Sequence, residues 1–398
     1  MITTLKKTRR HFLSSVLAGC AWLAVGNAWA QEDPVRIGFA ISKTGPFAAA
    51  AQEQIAVYEL WKDEIKARGG LNVAGAKRPV EFVEYDNQSK LDQSTRLYEK
   101  LITDDKVDLL LAPWGTPFQI ALAPVVEKYK FPVVGNTAAS VAVRQVQPGY
   151  IWFPTSAIPD KMAGELVKMM QQNNVKSAAI LSNVLPFTKE LKNFLEPELK
   201  KAGIEVKYST EYPPSIKDMT SIVTQIRDAQ PDAVLALSYP SDSILYEKQA
   251  HEIGIKAPFQ FIAVGPSTHA YRQAVGAAAN GTVTMGHWSP KREEWPNAKK
   301  FNDAFVERYK HEPDYLNASL TYLSLEILEQ AVAKAGLDKE KLREVISTET
   351  FSTINGNIKF DGVQNTITPV AFLQIQDGSL ELVWPDSLAT SSWKPKTQ

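Results

Sequence analysis

The feature that most constrains the fold of this chain is a regular alternation, from Val35 onward, of short apolar runs with longer amphipathic segments. The apolar runs have the length and branched residues of buried strands, and the longer segments repeat apolar residues at helical spacing. Strands joined by helices of this length form right-handed βαβ units, which predicts a parallel sheet with helices on both faces. The strands of this first series are predicted at 35–41, 79–86, 107–112 and 131–135, and the helices between them at 48–68, 92–101 and 120–129.

A second series of the same kind follows a short extended segment at 150–153, which indicates a second lobe. A length of 398 residues also exceeds what one hydrophobic core normally supports, so two lobes are expected on length alone. The strands of the second series are predicted at 177–181, 205–212, 232–238 and 259–264, and the helices at 161–172, 189–202, 220–229 and 243–253.

The last hundred residues change character, from long helices to a group of strands with a hairpin-like Asp377-Gly378 turn. This change predicts that the chain crosses back between the lobes. The predicted fold class is therefore α/β with two lobes, each a parallel-rich sheet flanked by helices, and a ligand cleft between them. The helices of this part are predicted at 296–309, 315–335 and 341–347, the strands at 356–360, 370–376 and 380–384, the first lobe at 34–152 plus about 289–355, and the second at 153–288 plus about 356–392.

Residues 1–30 have the pattern of an export signal rather than of part of the fold. A basic head ending at Arg10 precedes an apolar run at 12–25 and the small-x-small cleavage pattern AWA at 28–30. The sequence TRRHFL at 8–13 resembles a twin-arginine signal, and an ordinary secretory signal with two adjacent arginines is the alternative. Both alternatives predict export.

The chain has one cysteine, Cys20, which ends the sequence LAGC at 17–20 and so resembles a lipoprotein attachment site. The apolar run continues to Val25, whereas mature lipoproteins usually become polar after that cysteine, so a lipid anchor is the less favoured alternative. Once residues 1–30 are removed, no thiol, disulfide or cysteine-based metal site is left. We therefore expect a soluble, monomeric protein in the periplasm.

Composition and motifs exclude several classes of function. Basic and acidic residues both number 44, which argues against nucleic-acid binding. The sequence contains no glycine-rich phosphate loop of the kind that indicates a nucleotide cofactor, and its histidines are too scattered for a metal site. Ser267 and His269 lie close in sequence, but no Gly-x-Ser-x-Gly elbow follows a strand. We therefore expect neither a cofactor nor enzymatic activity.

The predicted ligand site lies where the parallel strands end. Ligands of open parallel sheets bind beyond the carboxyl ends of the strands, where free backbone N–H groups at helix N-termini form anion sites. Each of these residues could instead be a helix cap, and Trp114 could simply pack under the next helix. The candidate residues are Ser42 after the first strand, Trp114, Gly115 and Thr116 after the third, Ala138, Ala139 and Ser140 after the fourth, and Phe187, Tyr239 and Gly265 in the second lobe.

The order of these features resembles that of the branched-chain amino-acid binding proteins of ABC transporters, which are type I periplasmic binding proteins. The features are a first strand followed by Ser/Thr-Gly-Pro, then Tyr85-Asp86-Asn87, Thr116 and the sequence AAS at 138–140. The similarity covers nearly all of the chain after residue 30, and no single motif is diagnostic. It implies a two-lobe clamp with three crossovers as a hinge, which delivers one small molecule to a membrane permease and its ATPase. A periplasmic sensor of the same fold is the alternative.

The resemblance also implies roles for individual residues. Thr116 and Ser140 match the groups that hold the ligand carboxylate, and the carbonyl of Ala138 matches an acceptor for the α-ammonium. Trp114, Phe187 and Tyr239 match the contacts to the ligand side chain and the cleft.

Two departures from the family pattern bear on the ligand. The family's acid after the strand at 259–264 is missing, and an aromatic position of the leucine-type binders falls near Ala50. A buried ammonium without a counter-charge is costly, which favours a carboxylate or amide that has no ammonium, such as an aromatic or branched acid. Asp242 could supply the missing charge, so an amino acid remains the alternative.

Overall fold

The computed structural model describes residues 33–397 except 148 and 215. The predicted export signal, its twin-arginine sequence and Cys20 lie outside these residues. Within the described part of the chain, none of the helices combines the length and the apolar character that crossing a bilayer requires.

The first part of the chain forms the predicted α/β series. Its first strand and first helix match the predicted ranges to within one residue. A short hairpin follows the first helix and was not predicted. The elements are β1 (Val35–Ile41), α1 (Ala48–Ala67), β2 (Leu71–Val73), β3 (Ala76–Arg78), β4 (Val80–Asp86), α2 (Leu91–Thr103), β5 (Leu109–Leu110), α3 (Thr116–Tyr129), β6 (Val133–Val134), a 3₁₀ segment (Val141–Gln145) and β7 (Ile151–Trp152).

Strand β1 is the centre of the first lobe's sheet. It pairs in parallel with β4 on one side and β5 on the other, and β6 pairs in parallel with β7. Strand β5 is shorter than the predicted run 107–112, although Asp108 N and Leu111 N on either side of it still donate to Arg36 O and Gly38 O of β1. The carboxyl ends of β1 and β5 lie at one edge, as the sequence predicted, and the residues after β6 bond to those after β5.

The second series forms the larger sheet, and the tail supplies elements to both lobes. The elements are α4 (Pro159–Gln172), β8 (Ser177–Asn183), α5 (Pro186–Lys201), β9 (Glu205–Tyr212), α6 (Thr220–Ala229), β10 (Ala233–Leu237), α7 (Pro240–Ile253), β11 (Phe259–Ile262), α8 (His269–Val275), a 3₁₀ segment (Gly276–Ala279), β12 (Thr282–Met285), α9 (Pro296–Tyr309), α10 (Asn317–Ala335), α11 (Lys339–Thr348), β13 (Phe351–Thr353), β14 (Gly356–Ile358), β15 (Phe360–Asp361), β16 (Gln364–Asn365), β17 (Phe372–Gln376) and β18 (Ser379–Trp384).

The second sheet has the strand order β18-β17-β12-β11-β10-β8-β9. Strands β9, β8, β10, β11 and β12 are parallel, and the hairpin β17–β18 joins them antiparallel at β12. Strand β12 was not predicted, because its Thr282 and Thr284 look polar in the sequence. In the fold both are buried, and their hydroxyls donate to Glu247 and to the carbonyl of Ala263 at 3.1 Å.

The pairing of the tail shifts the boundary proposed between the lobes. The hairpin β15–β16 lies against the end of β7, where Phe153 N donates to Val363 O and Asn365 N donates to Phe153 O. We accordingly propose that residues 356–365 belong with the first lobe and that the last crossing follows Asn365, ahead of β17.

The centre of the second sheet offers a test of the fold. Leu235 of β10 is fully buried between Ile180 and Phe261 of the neighbouring strands. We expect Leu235→Ala to lower the free energy of unfolding by about 2–5 kcal/mol, because the substitution leaves a cavity. Leu91→Ala is the control, since Leu91 is 45% exposed, and it should change that energy by no more than about 0.5 kcal/mol. Urea titration followed by circular dichroism measures both, and equal losses would contradict this packing.

Candidate functional site

A cavity lies between the two lobes at the strand ends that the sequence singled out. It contains about 460 Å³ of space free of protein atoms, part of it open to solvent. Six of the ten predicted site residues line it. The lining consists of Trp114, Gly115, Thr116, Thr137, Ala139, Leu316, Asn317 and Leu320 from the first lobe, Phe187, Tyr239, Val264 and Met285 from the second, and Thr155 next to the first crossover.

The first-lobe wall is the turn into helix α3. Gly115 caps this helix with φ at +90°, a backbone conformation that favours glycine, and its N–H donates to the Thr137 hydroxyl at 2.7 Å. The Thr116 hydroxyl accepts from the N–H of Ala139 at 2.9 Å. These bonds tie the ends of β5 and β6 together, and the first turn of α3 has N–H groups without intrahelical acceptors at Thr116 and Phe118, while Pro117 has none.

Trp114 is both a packed residue and a cavity wall. Its side chain is 4% exposed, and its Nε1–H donates to Asn317 Oδ1 at 3.3 Å. Asn317 opens helix α10, so this bond fixes the indole between two distant parts of the chain. The sequence left open whether Trp114 packs within the fold or forms a wall of the ligand site, and the structure shows that it does both.

Tyr239 is the main second-lobe contribution. It stands at the end of β10, and its ring lies 6.4 Å from that of Trp114 and 6.5 Å from that of Phe187. Its hydroxyl is buried and has no hydrogen-bond partner among the described residues. Burial, followed by the nearby Asp242 carboxylate, raises the pKa of this phenol against the opposing effect of the Phe187 backbone N–H, which lies too far or too poorly aligned for a regular hydrogen bond, so the phenol remains a neutral donor. A buried hydroxyl without a partner is costly, and a bound molecule that accepts a hydrogen bond would relieve that cost.

Sequence reasoning missed Phe47 as part of the aromatic wall. Its ring lies 5.7 Å from Trp114 and 6.2 Å from Tyr239, so it bridges the two lobes next to the cavity. The residue directly follows Gly45-Pro46 and stands three positions before Ala50, where the resemblance implied an aromatic in the leucine-type binders. Phe47 thus supplies an aromatic ring next to the cavity although Ala50 cannot.

Four predicted site residues do not line the cavity, each for a local reason. Ser42 donates to Asn87 Oδ1 at 2.8 Å and joins two strand ends. Ser140 accepts from the N–H of Ala142 at 3.0 Å and so caps the 3₁₀ segment. Ala138 is buried in the first-lobe core. Gly265 allows the end of β11 to approach helix α7, since an added Cβ would lie 3.2 Å from Pro240 Cα.

The lining of this cavity contains no charged side chain, whereas Asp242 lines an adjoining cavity between the lobes that shares Tyr239. Asp242, the alternative counter-charge, is bonded within its own lobe. Its Oδ2 accepts from Tyr212 at 2.6 Å and from Asn183 at 3.1 Å, and its Oδ1 accepts from the N–H of Tyr239. Burial raises the pKa of this carboxyl, against the opposing effect of those hydrogen bonds. Among the described residues there is also no group of three or more potential metal ligands.

The remaining lining residues could not be assigned from the sequence. Leu316, Asn317 and Leu320 belong to the start of a helix that looks like ordinary core, with 19 residues and an extensively buried face. Thr155 and Met285 lie next to the crossovers between lobes. The signal that could have found them is their nearness to the predicted crossovers.

Comparison with known proteins identifies the family of this chain. The model of a family described as "Periplasmic binding protein" matches residues 34–379. The Leu/Ile/Val-binding protein homolog 7 of Brucella suis is 26% identical over 403 residues, covering 96% of this chain and 98% of that protein.

Solved structures share the fold at low identity. The branched-chain amino acid transporter substrate binding protein LivJ of Streptococcus pneumoniae, in complex with isoleucine, has a TM-score of 0.78 at 22% identity, covering 89% of this chain and 100% of that one. A solute binding protein of an ABC transporter from Rhodopseudomonas palustris, in complex with benzoate, has a TM-score of 0.77 at 18% identity, covering 91% and 97%. The predicted two-lobe, type I fold and the resemblance to this group are confirmed.

The Thr116–Ala139 link can be tested without a ligand. We expect Thr116→Val to destabilise the protein by about 1–3 kcal/mol, because it leaves the buried N–H of Ala139 without an acceptor. Thr116→Ser keeps the hydroxyl and should cost about 0.8 kcal/mol for the lost methyl group. Chemical denaturation measures both variants. Equal destabilisation would show that the hydroxyl does not hold the two strand ends together.

Proposed function

The chain belongs to the periplasmic binding protein family, and on that premise we propose that it captures a small carboxylate- or amide-bearing molecule between its lobes and delivers it to a membrane permease. The family consists of ligand-binding proteins rather than enzymes. The observation that carries the proposal is the cavity between Trp114 and Thr116 of one lobe and Phe187 and Tyr239 of the other. A molecule held there touches both lobes only when they are closed, so it stabilises the closed form.

The polar end of the ligand fits between helix α3 and Tyr239. The first N–H groups of α3 and the helix dipole favour a negative oxygen beside Gly115 and Thr116. The unpartnered Tyr239 hydroxyl can donate to the same oxygen from across the cavity. Donors from both lobes would then converge on one carboxylate or amide, and the bond to Tyr239 would form only on closure.

The rest of the ligand would lie against apolar side chains. Trp114, Phe187 and Leu320 supply an aromatic and branched wall suited to a ring or a branched chain. The absence of a charged residue from the lining argues against an ammonium group, whose burial without a partner is costly. We therefore favour an aromatic or branched acid, or the corresponding amide.

An amino acid is the second candidate ligand. The likeness to a protein in complex with isoleucine supports it, just as the likeness to a protein in complex with benzoate supports an acid. An amino acid would need its ammonium paired by uncharged oxygens, or by Asp242 after loss of its bonds to Tyr212 and Asn183.

The partners and location follow from the family. Proteins of this family are periplasmic, and we propose that this chain is exported by its N-terminal signal and works as a monomer with an ABC permease and its ATPase. A thermal-shift screen with benzoates, short branched acids, amides and amino acids tests the ligand class. Stabilisation by leucine or isoleucine but by no acid or amide would reject the ammonium-free ligand. Stabilisation by none of the compounds would reject the proposed ligand classes altogether.

Tyr239 provides the sharpest test of the site. We expect Tyr239→Phe to weaken binding of the best compound by about 1.5–3 kcal/mol, the usual value of a hydrogen bond to a charged group. Stability without ligand should not fall, because the hydroxyl has no partner to lose. Isothermal titration calorimetry and thermal unfolding measure the two effects.

Tyr246→Phe is the matched control. The Tyr246 hydroxyl is likewise buried without a partner, but the residue lies further along helix α7 and does not line the cavity. Its substitution should leave the affinity unchanged. If Tyr239→Phe also leaves the affinity unchanged, its hydroxyl does not contact the ligand.

A further inference from the structure

Two histidines stack on each other where the lobes meet. His269 begins helix α8 of the second lobe, and His311 follows helix α9, which packs on α1 of the first lobe. Their ring centroids are 4.3 Å apart and their planes are within 13° of parallel. Both side chains are partly buried. Closure of the lobes therefore brings together two imidazole side chains, a residue type that can carry a positive charge.

The groups around the pair include one cation and several acids. Arg272, one turn along α8, points toward Glu312, with 3.8 Å between the charged atoms, and also donates to the carbonyl of Ser267 at 2.7 Å. The first-lobe side presents aromatic rings to His311, with Phe305 at 5.6 Å and Tyr309 at 6.4 Å. The titratable and charged groups that face the cluster are Arg272 on α8, Tyr309 on α9, Glu312, Asp314 and Tyr315 in the loop after α9, and Glu53 on α1.

The loop that carries His311 also reaches the cavity. Asp314 is fully buried, and its Oδ1 accepts from the N–H of Leu316 at 2.9 Å while its Oδ2 accepts from the Asn317 side chain. Asn317 in turn accepts from Trp114. A displacement of the loop at His311 would thus also displace Leu316, Asn317 and Trp114, three residues of the cavity lining.

We propose that the His269–His311 stack is a pH-sensitive latch, which allows the lobes to close at neutral pH and favours opening when both imidazoles are protonated. Neutral rings stack favourably, whereas two imidazolium ions at this distance repel each other. The neighbouring Arg272 adds to the positive charge, and Glu312 offsets only part of it. In the open form the rings separate, and each can take up its proton without this repulsion.

The direction of the pKa shift agrees with the geometry. Burial, then His311 and Arg272, lower the pKa of His269 below its ordinary value, while Glu312 opposes the shift. A group whose pKa is lower in the closed form destabilises that form as the pH falls through the ordinary histidine range. The contribution of the histidine pair to closure should therefore weaken toward acidic pH.

Glu53 changes the pH dependence of closure in the direction opposite to the histidine pair, so the two effects must be measured separately. Burial, together with Asp314, raises the pKa of its carboxyl to about 8, against the effect of Arg272. If opening of the lobes exposes this group to water, its pKa returns toward the ordinary value, so its contribution to closure is lost progressively as the pH rises from about 4.5 to about 8. This interval includes the histidine titration, and the substitution Glu53→Gln removes the effect while it leaves the histidine pair intact.

The distance between the lobes can be measured directly by pulsed electron paramagnetic resonance. Spin labels are attached at Lys90→Cys in the first lobe and Lys189→Cys in the second, two exposed positions, in a Cys20→Ser background, because Cys20 is the one native cysteine. The distances are recorded at about pH 7.5 and about pH 5, on either side of the ordinary histidine pKa. The measurement is made without additive and with isoleucine or benzoate as the probe.

In the Glu53→Gln background we expect the ratio of closed to open molecules to fall at least about fivefold between the two pH values, the lower end of typical coupling between two sites. His269→Phe and His311→Phe keep an aromatic ring but cannot be protonated, so each should abolish most of that change. His251→Phe is the control, because His251 is exposed on α7 away from the cleft, and should keep the full change. In the chain that keeps Glu53, its carboxyl opposes this change over the same pH interval and should reduce or reverse it.

In the Glu53→Gln background, a closed fraction that does not fall at acidic pH, or that falls equally with the native histidines and in both phenylalanine variants, would overturn the latch. These outcomes are independent of the ligand proposal, since the lobe distance is also measured without a probe. If neither isoleucine nor benzoate alters the distance at neutral pH while the pH change is present, the latch stands and those two ligands are rejected.

Discussion

Parallel strand pairing is the constraint on which the rest of this structure depends. Because β1 and β5 run in the same direction, their carboxyl ends meet at one edge, and the ends of β8, β10 and β11 meet at the facing edge of the other lobe. Turns that would be scattered in another topology are thereby placed on two sides of one cavity. The first-lobe turns are joined by the Thr116–Ala139 bond, so the wall is set before any ligand arrives.

The chemistry of the cavity comes from what its walls lack as well as from what they contain. Its donors are the start of helix α3 and the Tyr239 hydroxyl, while Asp242 is held by Tyr212 and Asn183 within its own lobe. Buried acids attract ammonium groups, and free helix N-termini attract carboxylates. The arrangement thus favours an oxygen-bearing ligand without a positive charge.

Much of this could be predicted from the sequence because strand and helix periodicity is strong in a doubly covered parallel sheet. The strand Glu205–Tyr212 and the helix Thr220–Ala229 were predicted without error, and six cavity residues followed from their places at strand ends. Strand β12 was not predicted, because buried threonines look polar until their hydrogen-bond partners are known. Asn317 and Phe47 were not predicted as site residues, because their roles depend on contacts with Trp114, and spacing along the chain does not reveal such contacts.

The most direct test of the central claim is a crystal structure with the compound that gives the largest thermal shift. The account predicts electron density between Trp114 and Tyr239, with a carboxylate or amide oxygen within hydrogen-bonding distance of the Tyr239 hydroxyl and the first N–H groups of helix α3. Density outside the cleft, or an ammonium group bonded to a displaced Asp242, would contradict it.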